Sequence, residues 1–308
     1  MEMRQVLGNA LKEMMEKDES IVVIDADLAK ANGTMGLRNE FPDRAIDVGI
    51  AEQNMASVAA GMASYGFKPW IFSFTPFATR RICDQIAVSI AYAGQNVKIV
   101  GTDPGICAEL NGGTHMSLED IGVMRSIATM VIFEPVDATQ LKQSIPQIMA
   151  HEGPVYIRMF RKETPDVFDE NYKFDLFKAD LIQEGKDVTI ACTGVMVAES
   201  LKASKMLEEK GIRAEIINFH TIKPLDEETL LASVKKTGCI VTCENHNIIG
   251  GLRSAVSEAL VENHPVPLRS IGTKDVFGEV GKYAQLQKRF EMTAEDIVKK
   301  VEEVIAAK

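Results

Sequence analysis

The chain lacks the short motifs that would assign it to several common enzyme classes. GxxxxGK[ST], GxGxxG and HExxH do not occur, so the signatures of P-loop, dinucleotide-binding and zinc-protease sites are missing. Also missing is a GDG motif followed some dozens of residues later by an asparagine, a pattern that holds magnesium and a diphosphate. The sequence therefore gives no direct indication of a nucleotide or metal site.

Other absences bear on where the protein works and what it contacts. No apolar run is long enough to span a membrane, and residues 1–20 form an amphipathic helical pattern unlike a signal peptide. The net charge of −10 disfavours nucleic acid or an anionic membrane as the main partner. The five cysteines include no CxxC pair and mostly sit in strand-like runs, which is typical of a reduced protein. We expect a cytoplasmic protein that binds neither nucleic acid nor membranes.

Strand-like and helical patterns alternate along the 308 residues. Examples in the first half are an apolar run at 21–25 and a helical pattern at 52–64. Alternation of this kind predicts parallel sheets covered by helices. Residues 166–185 are polar and acidic, and the alternation resumes after them. The sequence thus predicts an α/β protein of two doubly wound domains, 1–165 and 186–308, joined by a linker at 166–185.

Two segments of the first half carry candidate site residues. In DVGIAEQN (47–54), Glu52 stands at a predicted helix start directly after an apolar stretch, where a carboxyl group is costly unless paired. The same position also suits a glutamate that only complements the helix dipole. Phe74 and Phe77 flank a proline turn, and they fit either one wall of an aromatic slot or ordinary core packing. On spacing alone we favour the helix-dipole interpretation for Glu52 and core packing for the two phenylalanines.

A third segment follows a predicted strand and is rich in glycine. His115 comes directly after Gly112, Gly113 and Thr114. A histidine in a glycine-rich loop at the carboxyl end of a strand lies where ligand sites of α/β proteins are found. A purely structural loop histidine is the alternative, and we favour the functional interpretation.

Taken together and in this order, three motifs resemble the C-terminal section of transketolases, which is a separate chain in some organisms: DVGIAEQN, GGTH (112–115) and ENHNIIGG (244–251). The resemblance covers nearly the whole chain. It implies a thiamine-diphosphate fold, with a pyrimidine-binding domain at 1–165 and a transketolase C-terminal domain at 186–308. It also implies a partner, an N-terminal transketolase subunit that carries the missing GDG domain and holds most of the Mg²⁺ ligands. We expect a hetero-oligomer with two copies of each chain, and we assign no metal ligand to this one.

The resemblance implies ketol transfer and gives roles to individual residues. Glu52 matches the catalytic glutamate that hydrogen-bonds the aminopyrimidine of thiamine diphosphate and favours its imino form. Phe74 and Phe77 match aromatic residues that pack on the pyrimidine. His115 matches a histidine that contacts the donor and assists proton transfer, and Asp27 matches an aspartate near the cofactor. The expected reaction moves a two-carbon unit from a ketose, such as a ketose phosphate, to an aldose.

Several basic residues match substrate-binding positions of transketolases. Arg4 and Arg161 match arginines that grip a sugar phosphate, and a bidentate guanidinium suits a phosphate or a sulfonate. Without the resemblance, surface solvation would be the simpler interpretation of both. Arg80 replaces a third aromatic residue near the pyrimidine, and either Arg80 or Arg81 is placed to restore positive charge there.

Three positions depart from the usual transketolase pattern. Asn111 stands where an aspartate recognises a donor hydroxyl, Asp103 where a phosphate-binding histidine is usual, and Ala31 where a phosphate-binding serine is usual. An acidic Asp103 should weaken the binding of a dianion. We therefore expect ketol transfer from a donor other than the usual xylulose 5-phosphate, such as a branched, deoxy or sulfonated ketose.

Three alternatives remain open from the sequence. The β subunit of a 2-oxoacid dehydrogenase has similar length, two similar domains and a Pro-Leu-Asp segment like that at 224–226, but the AEQN context of Glu52 and the Thr-His pair argue against it. A 1-deoxyxylulose 5-phosphate synthase-like reaction shares the main motifs and would need pyruvate. A non-catalytic structural subunit is the third, and the joint presence of Glu52, Phe74, Phe77 and His115 argues against it.

Overall fold

A computed structural model describes all residues from 1 to 308. The strands are β1 Ile21–Asp25, β2 Ala45–Asp47, β3 Lys68–Phe74, β4 Lys98–Thr102, β5 Val131–Phe133, β6 Val155–Met159, β7 Asp180–Gln183, β8 Val188–Cys192, β9 Ala214–Asn218, β10 Thr221–Lys223, β11 Ile240–Asn247 and β12 Leu268–Thr273. The α-helices are α1 Met3–Met15, α2 Ala29–Asn32, α3 Met35–Glu40, α4 Glu52–Ser64, α5 Thr75–Ala78, α6 Asp120–Arg125, α7 Ala138–Ala150, α8 Met196–Glu208, α9 Glu227–Thr237, α10 Leu252–Asn263, α11 Tyr283–Arg289 and α12 Ala294–Ile305. Two 3-10 helices, Arg80–Ile82 and Gly105–Asn111, and a π-helix, Gln85–Tyr92, complete the structure.

Seven strands form the first sheet, in the order β10-β5-β6-β4-β3-β1-β2. All neighbouring strands are parallel except β10, which pairs antiparallel with β5. One face of the sheet packs against α4 through Ile24 and Ile71, and the other packs against α1 and α7 through Val23 and Phe72. Strands buried on both faces read as continuous apolar runs, which is the pattern seen in the sequence. The predicted doubly wound arrangement is confirmed.

Five strands form the second sheet, in the order β12-β11-β8-β9-β7. Four of them are parallel, and β7 joins the edge antiparallel to β9. Strand β7 falls inside 166–185, the segment that the sequence predicts to be a linker, so the last part of that segment belongs to the second sheet. Its four residues are only partly buried, and such a short strand leaves little periodicity to detect.

The two halves of the chain are joined by more than the connecting segment. Strand β10 comes from the second half but lies at the edge of the first sheet. The side chain of Asn245, at the end of β11, accepts the backbone N–H of Ile106 at 2.9 Å and donates to the carbonyl of Pro104 at 3.0 Å. The second half therefore fixes the segment after β4, which leads into the loop of His115.

A fully buried arginine lies at the centre of this contact. The guanidinium of Arg158, in β6, donates to Asp120 at 2.7 Å, to Glu134, and to the carbonyl of Asn245 at 2.7 Å. None of the three charged side chains is more than 3% exposed. Because a buried charge is tolerated only when it is paired and hydrogen-bonded, this cluster fixes how the two halves meet.

Local sequence explains the helices that matter most for the candidate site. Helix α4 buries Met55, Ala56 and Ala59, and the two small alanine side chains let it lie close to β3. Helix α7 begins after Asp137, whose carboxylate accepts the backbone N–H of Gln140 at 2.8 Å, as a helix cap should. None of the helices is long and apolar enough to cross a membrane.

Candidate active site

The carboxyl edge of the first sheet gathers the residues singled out in the sequence. Asp27 follows β1, Phe74 ends β3, Asp103 follows β4 and Arg161 follows β6. Because neighbouring strands β1, β3, β4 and β6 are parallel, their carboxyl ends share one edge. Ligands of α/β proteins bind at this edge. The topology thus brings together positions that are far apart in the sequence.

Glu52 is the first residue of α4 and is only 4% exposed. Its Oε1 forms an ion pair with Nη1 of Arg81 at 2.7 Å. The helix N-terminus and the arginine both place positive charge beside the carboxylate, which explains how it is tolerated in a buried place. Its Oε2 has no hydrogen-bond donor in this chain, so one carboxylate oxygen is left for a ligand.

Three rings form a cluster beside this carboxylate. Phe74 and Phe77 have ring centroids 6.3 Å apart, and the ring of His115 lies 5.9 Å from the first and 5.1 Å from the second, edge-on to both. All three side chains are partly exposed, and His115 Nδ1 is 2.9 Å from the hydroxyl of Thr114. The guanidinium of Arg81 lies over Phe77 at 3.7 Å. Spacing alone favours core packing for the two phenylalanines, but the structure leaves both rings partly exposed and links Phe77 to Glu52 through Arg81.

A second arginine lies on the other phenylalanine. The guanidinium carbon of Arg161 is 5.2 Å from the ring centroid of Phe74, and its Nε is 2.7 Å from the carboxylate of Asp103. Burial raises the pKa of Asp103 to about 6, while the positive charge of Arg161 acts in the opposite direction. Asp103 also accepts the backbone N–H of Arg161 at 3.3 Å. The pair is therefore fixed from both sides at the edge of the ring cluster.

The remaining predicted residues lie around this cluster with weaker links to it. The backbone N–H of Arg4 donates to the carbonyl of Arg161 at 3.1 Å, while its guanidinium is held by Glu2 and by the carbonyl of Ala31. Asn111 is exposed at the end of a 3-10 helix. No hydrogen bond joins Asn111, or the carboxylate of Asp27, to the ring cluster.

Asp27 itself has an unusual backbone. Its φ of 59° lies in the left-handed region, which is uncommon for residues other than glycine. Its backbone N–H donates to Asp47 at 3.0 Å and its side chain is exposed. This conformation turns the chain sharply where β1 ends, at the edge that carries the ring cluster.

A buried carboxyl group beneath the same edge is missed by reasoning from the sequence. Asp25, the last residue of β1, accepts from Asn32 at 2.9 Å and from Thr34 at 2.5 Å. Burial raises the pKa of Asp25 to about 6, and the two donors act in the opposite direction. The sequence signal for this group is an aspartate at the end of a continuous apolar run. Its role here is to hold α2, and with it the carbonyl of Ala31 that Arg4 contacts.

Comparison with known proteins decides the family. The transketolase pyrimidine-binding domain model matches residues 1–166, and the transketolase C-terminal domain model matches residues 177–297. The chain belongs to the transketolase family. This transketolase section is 53% identical over 99% of its length to the 6-deoxy-6-sulfo-D-fructose transketolase subunit SqwH of Clostridium sp. (strain MSTE9), and covers 95% of that protein.

Two further relatives place the section among separately encoded subunits. It is 37% identical, over 88% of its length and 87% of the relative's, to one subunit of the apulose-4-phosphate transketolase of Phocaeicola vulgatus. A solved structure described as a split gene transketolase, inactive beta4 tetramer, superposes with a TM-score of 0.92 at 40% identity, covering 99% of each chain. The predicted resemblance to a transketolase C-terminal section is confirmed. The section is a subunit of a transketolase-type transferase, and its family implies dependence on thiamine diphosphate.

Proposed function

We propose that this transketolase section supplies the catalytic glutamate and the aromatic wall of an active site that transfers a two-carbon ketol unit from a ketose to an aldose. The observation that carries the proposal is the buried carboxylate of Glu52 beside the Phe74, Phe77 and His115 rings. A buried carboxylate with one free oxygen suits recognition of a ring nitrogen. Rings at a cleft suit a flat heterocycle.

The residues present fit the aminopyrimidine half of thiamine diphosphate. Oε2 of Glu52 lacks a donor, and the partly exposed phenylalanine rings offer an apolar surface next to its partner Arg81. The sequence has no GDG motif, and within this chain no group of three or more histidine, cysteine, aspartate or glutamate side chains is arranged to hold a metal ion. We assign the diphosphate and Mg²⁺ to an N-terminal transketolase subunit, and we expect two copies of each chain in the active assembly.

When bound, thiamine diphosphate would supply the carbanion chemistry that ketol transfer requires. In this proposal Glu52 holds a proton at the pyrimidine nitrogen and so selects the reactive tautomer. Phe74 and Phe77 fix the plane of the ring and exclude water from it. His115 lies against both rings, where its imidazole can hold a donor hydroxyl and move a proton. Arg161 binds the far end of the sugar, with Arg4 behind it.

The donor is proposed to be an anionic ketose. The relatives named above act, by their names, on 6-deoxy-6-sulfo-D-fructose and on apulose 4-phosphate. The first is the more similar to this chain, so a sulfonated ketose is the donor we favour. Asp103 beside Arg161 supports that choice, because it reduces the positive charge that a phosphate dianion would need.

The test is a ketol-transfer assay with thiamine diphosphate and Mg²⁺. This chain should be inactive alone and active when mixed with a GDG-bearing subunit from the same source. Glu52→Gln should lower turnover by about a thousandfold or more, since it removes a group that acts at the reacting cofactor. Glu13→Gln, an equal change at an exposed site on α1, should leave turnover unchanged.

The failures of this assay separate the alternatives. Transfer from pyruvate but from no ketose would move the assignment to a 2-oxoacid dehydrogenase or a deoxyxylulose phosphate synthase-like enzyme. Full turnover with Glu52→Gln would indicate a non-catalytic subunit.

A further inference from the structure

Five cations on or next to the ring cluster are each paired with a carboxylate. Arg81 and Arg161 lie on the two phenylalanine rings, and the other three are their neighbours in sequence or in hydrogen bonding. The five ion pairs are Arg4 with Glu2, Arg80 with Glu119, Arg81 with Glu52, Arg161 with Asp103, and Lys162 with Glu109. The formal charges of these ten groups sum to zero. The cleft therefore offers guanidinium donors without a surplus of positive charge.

Asp103 differs from the other carboxylates on the substrate side of the cluster. Its side chain is 3% exposed, whereas Glu2 and Glu119 are 31% and 39% exposed and can turn towards water. The backbone N–H of Asp103 donates to the carbonyl of Met159 at 3.0 Å, and its carboxylate accepts the N–H of Arg161. Both contacts hold it against the end of β6. Asp103 thus cancels the charge of Arg161 in a way that a bound ligand cannot displace.

The same pair leaves the donors of Arg161 available. Asp103 contacts the Nε side of the guanidinium, and Nη1 and Nη2 have no acceptor in this chain. The guanidinium also lies over the ring of Phe74, with its carbon 5.2 Å from the ring centroid. A fork of two N–H groups held in this way suits a tetrahedral oxyanion. The guanidinium of Arg4, by contrast, is already occupied by Glu2 and by the carbonyl of Ala31.

We propose that Asp103 is the residue that determines donor charge, by making the subsite of Arg161 accept a singly charged sulfonate in preference to a doubly charged phosphate. The inference rests on the proposed ketol transfer and deepens it. A sulfonate carries one negative charge, while a phosphate monoester carries about 1.5 to 2 near neutral pH. The additional charge of the phosphate meets the Asp103 carboxylate across the guanidinium, and that repulsion is not offset by an unpaired cation.

Two ketoses with the same carbon skeleton test the proposal. 6-Deoxy-6-sulfofructose and fructose 6-phosphate differ only at the terminal group, and their ratio of kcat/KM measures the preference. The holoenzyme should favour the sulfonate. Asp103→Asn should lower the ratio by about tenfold, equivalent to about 1.4 kcal/mol, through a lower KM for the phosphate. Structural damage alone would lower kcat/KM for both donors and leave the ratio in place.

One control and one second test variant keep the result interpretable. Asp43→Asn makes the same change of net charge at an exposed position remote from the cleft and should leave the ratio unchanged. Glu2→Gln frees the guanidinium of Arg4 without altering a buried group, so it should shift the ratio in the same direction as Asp103→Asn, by about threefold. It also serves if Asp103→Asn does not fold.

The outcomes that overturn the inference are distinct from those that overturn the proposed function. An active holoenzyme that prefers fructose 6-phosphate, or whose ratio is unchanged by both variants, overturns the role of Asp103 alone. A holoenzyme that transfers a ketol unit from neither of these sugars and from no other ketose overturns the proposed function, and this inference with it.

Discussion

Replacing Arg158 by methionine should be among the most damaging single changes in the chain. The variant keeps an unbranched apolar stem but removes a cation that contacts Asp120 at 2.7 and 3.2 Å, Glu134, and the carbonyl of Asn245 at 2.7 Å. Two carboxylates would remain buried with no cation beside them. Removing one partner of a buried ion pair costs about 3–5 kcal/mol.

The loss in unfolding free energy should therefore be at least about 4 kcal/mol, because two carboxylates and a carbonyl lose their partner at once. The total stability of a folded domain is about 5–15 kcal/mol, so this loss is roughly a quarter of that stability or more. Urea denaturation followed by circular dichroism measures this loss. Arg213→Met, a matched change at an exposed arginine, should stay within about 0.5 kcal/mol of the wild type.

The dependence of this loss on pH gives a sharper test. Burial alone would raise the pKa of Asp120, but Arg158 and His246 outweigh it and hold that pKa below its ordinary value. In the wild type this contribution to stability is present above the unfolded pKa and lost as the pH falls. Without Arg158, burial should raise the pKa of Asp120 in the folded state, so the variant should become relatively less unstable in acid.

The deficit of Arg158→Met should accordingly shrink between about pH 8 and pH 5, and Asp120→Asn added to the variant should restore part of the loss. A deficit below about 1 kcal/mol, or one that does not change with pH, would refute the idea that this cluster holds charged groups in a dry interface.

Three smaller predictions concern residues near the site and the interface. Arg81→Met leaves Glu52 unpaired and should lower the unfolding free energy by about 1 kcal/mol, a modest loss because the arginine is partly exposed; no change in the urea midpoint would count against the ion pair. Gly251→Ala should give an unstable or insoluble protein, since a Cβ there would collide with the carboxylate of Glu244. Gly61, on α4, is the control: a Cβ there meets no neighbouring atom, so Gly61→Ala should be neutral or slightly stabilising in a thermal melt. Burial raises the pKa of Glu244 to about 7, so its contribution to stability is present at low pH and lost as the pH rises through that value. Glu244→Gln should therefore flatten the fall in unfolding free energy between about pH 5 and 8. An unaltered slope would contradict this.

The fold could be predicted because its signal is local. Continuous apolar runs such as β1 and β8 are buried on both faces, and the helical patterns between them are long. The position of strand β10 at the edge of the first sheet could not be predicted, because three residues show no usable periodicity and the partner strand β5 lies almost ninety residues earlier. Similarly, nothing in the sequence near Arg158 indicates that its acceptors include a carbonyl of the second half.

In the candidate site, too, the residues with a local sequence signal could be predicted and the contacts between distant residues could not. Glu52 and His115 could be singled out because short contiguous motifs surround them. The structure places His115 against both phenylalanine rings and links Glu52 to Phe77 through Arg81. Their pairing with other groups could not be predicted. Arg81 pairs with Glu52 although strand β3 lies between them in the sequence. Arg161 and Asp103 meet only because β4 and β6 are neighbours in the sheet. Distances of this kind depend on topology, which local patterns do not specify.

These pairings also explain how the section can fold without the rest of an active site. The buried carboxylates of Glu52 and Asp103 both find their counterion within the chain. Neither needs a metal, a cofactor or another subunit to be tolerated in the folded state. On the proposed function, a partner would then contribute chemistry rather than charge compensation, since it would bring the diphosphate and Mg²⁺ to a cleft that is already neutral. On this proposal the section is expected to be stable on its own because its buried carboxylates are paired, and inactive on its own because the diphosphate and Mg²⁺ are held by the partner.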